Sequence, residues 1–259
     1  MRVFTNGRGL HPELTAGGAS ALAQWCFDET SAAGGARDTV DDTSPMANVS
    51  ASNPTVLTDS DIGFAARRFS GAAQHLYGAS TSPVDPASLQ TSTWFFSIRI
   101  PLSFTTTGRM FTYARPDDTH APMRVTINST KKLTFSWHDT GGALTTVNSN
   151  IVMPQGKWIH LVVARGSDLK VYLWGTLAET LTFASDVYDT AETQRFVVGA
   201  DGALGSACEV DVSSITVFPG ELAAGDIEDQ LRRMKLMGFD TYKPCLLYTS
   251  DAADDAPRV

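Results

Sequence analysis

Along most of the chain, apolar and polar residues alternate over short stretches, the period of two that a half-buried β-strand produces. The clearest stretches are 92–100 (STWFFSIRI), 123–127 (MRVTI), 131–137 (KKLTFSW), 158–164 (WIHLVVA), 168–174 (DLKVYLW), 195–198 (RFVV) and 208–218 (CEVDVSSITVF). All are rich in β-branched and aromatic residues, and clusters of Gly, Asn, Asp and Pro separate them at the spacing of an all-β sandwich. Leu133, Phe135 and Trp137 share one face of their strand and Thr134, Ser136 and His138 the other, so one face packs and one looks outward or toward a ligand. Trp25 and Phe27 alternate against Cys26, and Trp158, His160 and Val162 against Ile159, Leu161 and Val163, which predicts strands buried on both sides. Trp25, Phe69, Trp94 and Trp158 are core by position. A helical period shows only near the end, where Ile227, Leu231 and Met234 follow Asp226 and Gly238 offers a stop.

Charge and composition narrow the function. With 28 acidic and 20 basic side chains in 259 residues, the formal net charge is −8, which speaks against a basic nucleic-acid grip. The chain is 42% hydrophobic and 19% charged, an ordinary globular composition. No apolar run approaches the roughly 18 residues of a membrane helix, so the expectation is a soluble or peripherally attached protein. No apolar segment of the kind secretion requires follows Met1, and no signal peptide is visible. Residues 1–19, with their Gly, Pro and Asn, read as a leader or linker. There is no Gly-rich phosphate loop, paired-cysteine metal motif or Gly-x-Ser-x-Gly elbow to offer a catalytic centre.

The final fifteen residues, Cys245 to Val259 (CLLYTSDAADDAPRV), depart abruptly from what precedes them. They resemble, nearly residue for residue, a one-frame translation of the transposon-end adapter used in sequencing-library preparation. The resemblance implies a translated metagenomic read, in which residues 238–244 begin a natural continuation beyond Pro244. Without the three Asp and one Arg of this tail the balance is 25 acidic to 19 basic side chains, and the odd third cysteine disappears.

Four blocks then carry a family resemblance. Leu22–Glu29 (LAQWCFDE), Gly63–Gly71 (GFAARRFSG), residues 156–175 (GKWIHLVVARGSDLKVYLWG) and Phe218–Leu231 (FPGELAAGDIEDQL) occur in the order and spacing of a known domain. They resemble the concanavalin A-like, laminin-G-type jelly-roll domains common in bacterial surface and phage proteins. The resemblance implies an all-β, two-sheet antiparallel jelly-roll sandwich over residues 20–237 with one short C-terminal helix. It also implies that the first and last strands pair, which brings Cys26 and Cys208 into one neighbourhood as a disulfide or as two buried small hydrophobes.

The superfamily also contains glucanases with paired carboxylates, and Glu209-Val210-Asp211-Val212-Ser213-Ser214 resembles the front half of their motif. A retaining pair needs a nucleophile and an acid about 5 Å apart. Ser213 or Ser214 stands where the second Glu would be, so no enzyme is expected. Calcium is the one cofactor the resemblance raises. Asp117, Asp118 and Asp201 are the available carboxylates, but serines replace the family's Asp pair. His160 is expected to be structural. Trp174 is the departure of most interest: an aromatic precedes Gly175 where the family hairpin has Asn, so it offers either a platform for a sugar ring or a lid on the core edge. Tyr113, Arg115 and His138 join it as ligand-surface candidates, and Trp137 is either core or a further residue of that surface. The expected partner is a glycan or cell-surface polysaccharide, for an adhesion module on a virion or cell surface. The alternative is a structural protein-contact domain of a phage tail or capsid.

Overall fold

The computed structural model describes residues 15–16, 18–27, 37–38, 46–48, 54–58, 65–70, 74, 76–78, 89–183, 186–187, 194–201, 203 and 205–236. The tail from Cys245, the stretch 238–244 and Gly238 lie outside the described residues, as does the Met234 side chain. In chain order the strands begin with β1 (Thr15–Ala16), β2 (Ala19–Ser20), β3 (Ala23–Cys26), β4 (Arg37–Asp38), β5 (Met46–Asn48) and β6 (Thr55–Thr58). They continue with β7 (Ala65–Ser70), β8 (Leu76–Gly78), β9 (Ser92–Arg99), β10 (Gly108–Ala114), β11 (Met123–Ile127) and β12 (Lys132–His138). The last are β13 (Leu144–Val152), β14 (Trp158–Arg165), β15 (Asp168–Leu173), β16 (Thr176–Thr182), β17 (Arg195–Val198) and β18 (Glu209–Pro219), before the helix α1 (Ala224–Leu236).

Two antiparallel sheets face each other. One has seven strands in the order β13-β12-β11-β10-β17-β8-β5. The other follows β16-β15-β14-β9-β18-β3-β4, with β7 also on β18 and β6 on β7. The seven stretches read from periodicity are all strands, shifted by at most one residue at either end. The first and last strands of the core do pair, with Trp25 opposite Ile215 and Cys26 opposite Ser214. β18 reaches further: β9 pairs along nearly its whole length, while β7 and β3 share its other edge.

Between the sheets the inward positions of the long central strands meet in one aromatic core. The Tyr113 ring stacks on Phe196 at 4.2 Å, Trp25 meets Phe196 at 4.5 Å and Trp94 meets Phe111 at 5.1 Å. Trp25, Phe69 and Trp94 are fully buried here, as their positions predict. Arg165 closes one end of this core. Its guanidinium lies 4.2 Å above the Trp137 ring and 4.5 Å from Phe183, and burial pulls its pKa down to about 10.

The opposite face of the nine-stranded sheet is also covered. There Ile227 and Leu231 of α1 pack on Phe95, Val162, Tyr172 and Phe218, in one cluster with Ala16 and Ala21. Within the stretch expected to be a leader, β1 and β2 pair and Ala16 is buried. Further along the same face, Trp158 is buried against Ala66 and Leu57 beneath the Arg99 guanidinium. No disulfide joins Cys26 and Cys208. Cys208 lies in the inter-sheet core, whereas Cys26 alternates with the inward Trp25 and Phe27 and so faces the other way. Burial pushes the Cys208 thiol pKa well up, as expected of an unreactive packing residue.

Candidate functional site

The loop between β10 and β11 crosses the outer face of the seven-stranded sheet, and most of the polar candidates gather around it. Alternation explains the placement. Met123, Val125 and Ile127 of β11 face the core, so Arg124 faces away, and on β12 the same rule sends His138 out while Trp137 goes in. The loop is tightly tied down. Asp118 and His120 take left-handed backbone angles, with φ of 61° and 50°, a conformation that costs non-glycine residues energy and persists only where surroundings enforce it. The enforcement is visible. Arg124 donates to the Asp118 carbonyl, Gln194 to the His120 carbonyl at 3.4 Å and Arg195 to the Pro116 carbonyl at 3.3 Å.

His138 holds the loop at two points. Its backbone N–H donates to the Ala121 carbonyl at 2.8 Å, and its Nδ1 accepts the Ala121 N–H at 2.8 Å. Desolvation lowers the His138 pKa, and the neighbouring charges of Arg124 and His120 add to that effect. The His120 ring lies 5.9 Å away, and its Nδ1 is 3.4 Å from Arg115 Nη1.

Three arginines and two aspartates complete the corner. Asp118 Oδ2 is clamped by Arg109 at 2.6 Å and by Arg124 at 3.1 Å. Burial lowers the Arg124 pKa, and the Asp118 charge works against that shift. Asp117 is committed to its own turn. Its Oδ1 accepts from both the Thr119 N–H and the Thr119 hydroxyl, which lower its pKa, and it meets Arg115 only at 3.8 Å. Asp201 accepts the Gly205 N–H at 2.7 Å. These donors do not fit calcium. Asp118 faces two guanidiniums where a hard cation needs several uncommitted oxygens, and no group of three or more His, Cys, Asp or Glu gathers among the described residues.

The structure therefore brings Arg115, His138, Asp117 and Asp118 together, with Asp201 near enough for its charge to act on Arg124, and places Tyr113, Trp137 and Trp174 elsewhere. Tyr113 is not on a ligand surface but buried against Phe196, because it shares the inward parity of Phe111. Trp137 is likewise core, under Arg165 and edge-on to Phe183 at 5.0 Å. Trp174 lies on the other sheet. Its φ of 51° and the 87° of Gly175 form the tight turn joining β15 and β16, and its half-buried indole folds back so that Nε1 donates to the Trp158 carbonyl at 3.2 Å. It is a lid on the core edge rather than an exposed platform. Arg109, Arg124 and His120 were missing from the sequence candidates. Arg124 could have been found, since a guanidinium inside the apolar MRVTI strand must have an outer face and a partner there.

The residues of the glucanase-like motif are engaged within the fold. Asp211 is fully buried and takes a bidentate pair of bonds from Arg68 at 2.8 and 2.9 Å and a third from Arg99 at 2.8 Å. Glu209 accepts from the Ser103 hydroxyl. Ser213 and Ser214 are buried, and a bulge displaces the register between Val212 and Ser214. His160 is buried on β14 opposite Ser97.

Two facing antiparallel sheets, closed by the pairing of first and last core strands, make the molecule a jelly roll. A family model described as the concanavalin A-like lectin/glucanases superfamily matches residues 76–228, more than half of the chain, and the chain belongs to that superfamily. Among solved structures it is similar to the receptor-binding domain of botulinum neurotoxin type G, with 13% identity and a TM-score of 0.59 over 82% of this chain and 51% of that one. The receptor-binding domain of the botulinum neurotoxin C/D mosaic serotype gives 11% identity and a TM-score of 0.61 over 82% and 51%. This chain thus spans about half the length of those structures, and at such identities the likeness is one of fold. No curated protein sequence matches it. Among the described residues, no helix is long and apolar enough to cross a membrane.

Proposed function

We propose that the chain is a non-catalytic binding and adhesion module for glycans, working at a cell surface or on a virion, and that it engages them at the corner built from Arg115, His120 and His138. The observation that carries this is the corner itself, where a pinned loop holds guanidinium and imidazole donors on the outer side of a rigid sheet, next to the Asp117 carboxylate and the Thr119 hydroxyl. Such a mixture suits the hydroxyls of a sugar, and fixed donors bind with little ordering cost. Membership of a lectin-containing superfamily supports the reading by analogy. A glycan array probed with wild type and Arg115→Ala tests it: binding that weakens about tenfold in the variant is expected, and undiminished binding would move the site elsewhere.

Hydrolysis is not part of this proposal. Asp211 has its oxygens engaged by two arginines, and the acid of a retaining pair would have to come from a serine. The protein should release no reducing ends from laminarin, agarose or carrageenan, and turnover that Glu209→Gln abolishes would overturn that expectation.

One observation favours a protein-contact role instead. Leu144 and Val152 on edge strand β13, and Leu177 on edge strand β16, are exposed. If they mark an interface between copies, light scattering will give a mass above the monomer that Leu144→Glu with Val152→Glu restores to monomer. A monomer indifferent to both changes argues for the glycan reading.

A further inference from the structure

We propose that one end of the sandwich docks on the surface of an anionic lipid bilayer, with Leu102, Val152 and Leu177 entering the interfacial layer and Lys131, Lys132 and Lys157 meeting the headgroup phosphates. The proposal is independent of the glycan reading, because this end lies opposite the corner. Lys132 and His138 stand at the two ends of β12, about 20 Å apart at the rise of an extended strand.

Four connections make up this end, and hydrogen bonds lace them together. The loop after β9 turns at Leu102, where the Phe104 N–H donates to the Pro101 carbonyl at 3.1 Å. The segment between β13 and β14 braces that turn, with Gln155 Nε2 donating to the Pro101 carbonyl at 3.0 Å and the Gly156 N–H to the Ile100 carbonyl at 2.7 Å. The turn between β11 and β12 is tied to both. Its Lys131 carbonyl accepts the Met153 N–H at 2.9 Å, and its Ser129 N–H donates to the Thr107 hydroxyl at 3.2 Å. The turn between β15 and β16 arrives at the same place, since Trp174 bonds the carbonyl of Trp158, the first residue of β14.

Apolar exposure concentrates here. Among the described residues, Leu102 at 80%, Val152 at 60% and Leu177 at 49% are exposed at this end, and Leu144 is exposed at the other. Leu102 lies across the Gly156 backbone, where a Cβ would stand 3.1 Å from its Cδ2. Val152 and Leu177 share this end because β13 finishes and β16 begins here, and Glu179 bonds the Asn150 N–H two residues away from each. Exposed aliphatics scattered singly are ordinary, whereas three at one end mark a contact surface.

The surrounding charge decides what covers them. Lys132 stands opposite Val152 in the register of β12 and β13, so the two side chains leave the same face. Lys131 precedes it in the turn, and Lys157 follows Gly156. Arg68 and Arg99 with Asp211 leave one positive charge, which Glu209 beside Ser103 offsets. The three lysines against Glu179 then leave an excess of two among the described residues, while Arg109 and Arg124 further along are cancelled by Asp118 and Asp201. On a chain of net −8, that excess turns this end toward a negative surface. A second copy is a poor occupant, because joining this end to itself sets lysines against lysines. Aliphatics flanked by lysines match the boundary of an anionic bilayer, which takes the former among its acyl chains and the latter at its phosphates.

The test is co-sedimentation of the full chain with vesicles of phosphatidylcholine alone and of phosphatidylcholine containing about one quarter phosphatidylserine. Binding to the mixed vesicles only is expected, and it should weaken as salt is raised. Lys131→Asn with Lys132→Gln should lose roughly twentyfold, at about fivefold for each lysine near a charged surface, and Asn accepts the φ of 65° that Lys131 takes. Leu102→Ser should lose about tenfold and, from so exposed a position, should melt as wild type does. Leu144→Ser, at the other end, should change nothing. Failure to sediment with the mixed vesicles, equal binding to both vesicles, or an equal loss in Leu144→Ser would overturn the proposal. So would a mass above the monomer in light scattering that Leu102→Ser returns to monomer, which would assign this end to a protein interface. None of these results bears on the glycan array, which reads the opposite end.

Discussion

At the scale of single residues, His138 links the acidity of the medium to the order of the loop. Its pKa is depressed in the folded protein, so folding favours the neutral ring. The stability it contributes is full above the ordinary histidine value near 6.5 and is lost as the pH falls through the lower folded value. Protonation would turn the acceptor of the Ala121 N–H into a donor, beside Arg124 and His120. Melting temperature should therefore fall more between pH 7 and pH 5 in wild type than in His138→Asn, which keeps an acceptor and does not titrate. Parallel curves would show that the ring is a bystander. Asp211 makes the second residue-level prediction. Replacing it with Ala leaves Arg68 and Arg99 facing each other without the carboxylate between them. The fully buried limit for such a loss is about 3 to 5 kcal/mol. Because the Arg68 side chain is 40% exposed, a loss of roughly 2 to 4 kcal/mol is expected in chemical denaturation.

Among the elements, the turn between β15 and β16 sets two costs against each other. A left-handed Trp174 carries about 1 kcal/mol of backbone strain, yet its indole packs on the core edge and bonds the Trp158 carbonyl. Trp174→Ala should cost about 1 to 3 kcal/mol. Trp174→Asn should cost less, since Asn accepts the turn geometry that Ala does not. If Ala proves as stable as wild type, the lid is unimportant.

The same elements show what could be read in advance. Strands β11 and β17 have the bounds that alternation gave them, because each buries an apolar face against the opposite sheet. β13 and β16 escaped notice. They are edge strands, LTTVNSNIV and TLAETLT, with mostly exposed or half-exposed positions, and a strand that buries little carries little hydrophobic signal. Glu179 of β16 bonds Ser149 and the Asn150 N–H of β13, a contact between sheets that periodicity cannot contain. The corner was half legible. Arg115, His138, Asp117 and Asp118 are polar residues at a strand end and a loop, where exposure is a fair expectation. Tyr113 was misplaced although Phe111, two residues earlier, fixes its parity. His120 depends on a backbone conformation that the sequence does not announce.

For the molecule as a whole, the core dominates stability and bound ions should matter little. The carboxylates that could have held calcium are occupied by arginines and backbone N–H groups. Adding millimolar calcium, or removing divalent ions with EDTA, should leave the melting temperature unchanged within about 1 °C, given that a saturating ligand typically adds 2 kcal/mol or more. A rise of several degrees with calcium would reveal a site that the described residues do not form.

The long strand β18 has a consequence for how such a protein is made. Ala23 pairs with Val217, and Arg68 with Asp211. A ribosome delivers β3 and β7 long before the strand that both of them require. Until that strand emerges, their edges hang unmatched and Trp25 has no closed core to enter. Synthesis therefore passes through an extended interval in which the nascent chain is sticky and incomplete, and the sheet closes in a late, concerted event. A stalled chain ending before Glu209 should remain sensitive to protease throughout its early strands, whereas one extended past α1 and clear of the exit tunnel should become resistant in a single step.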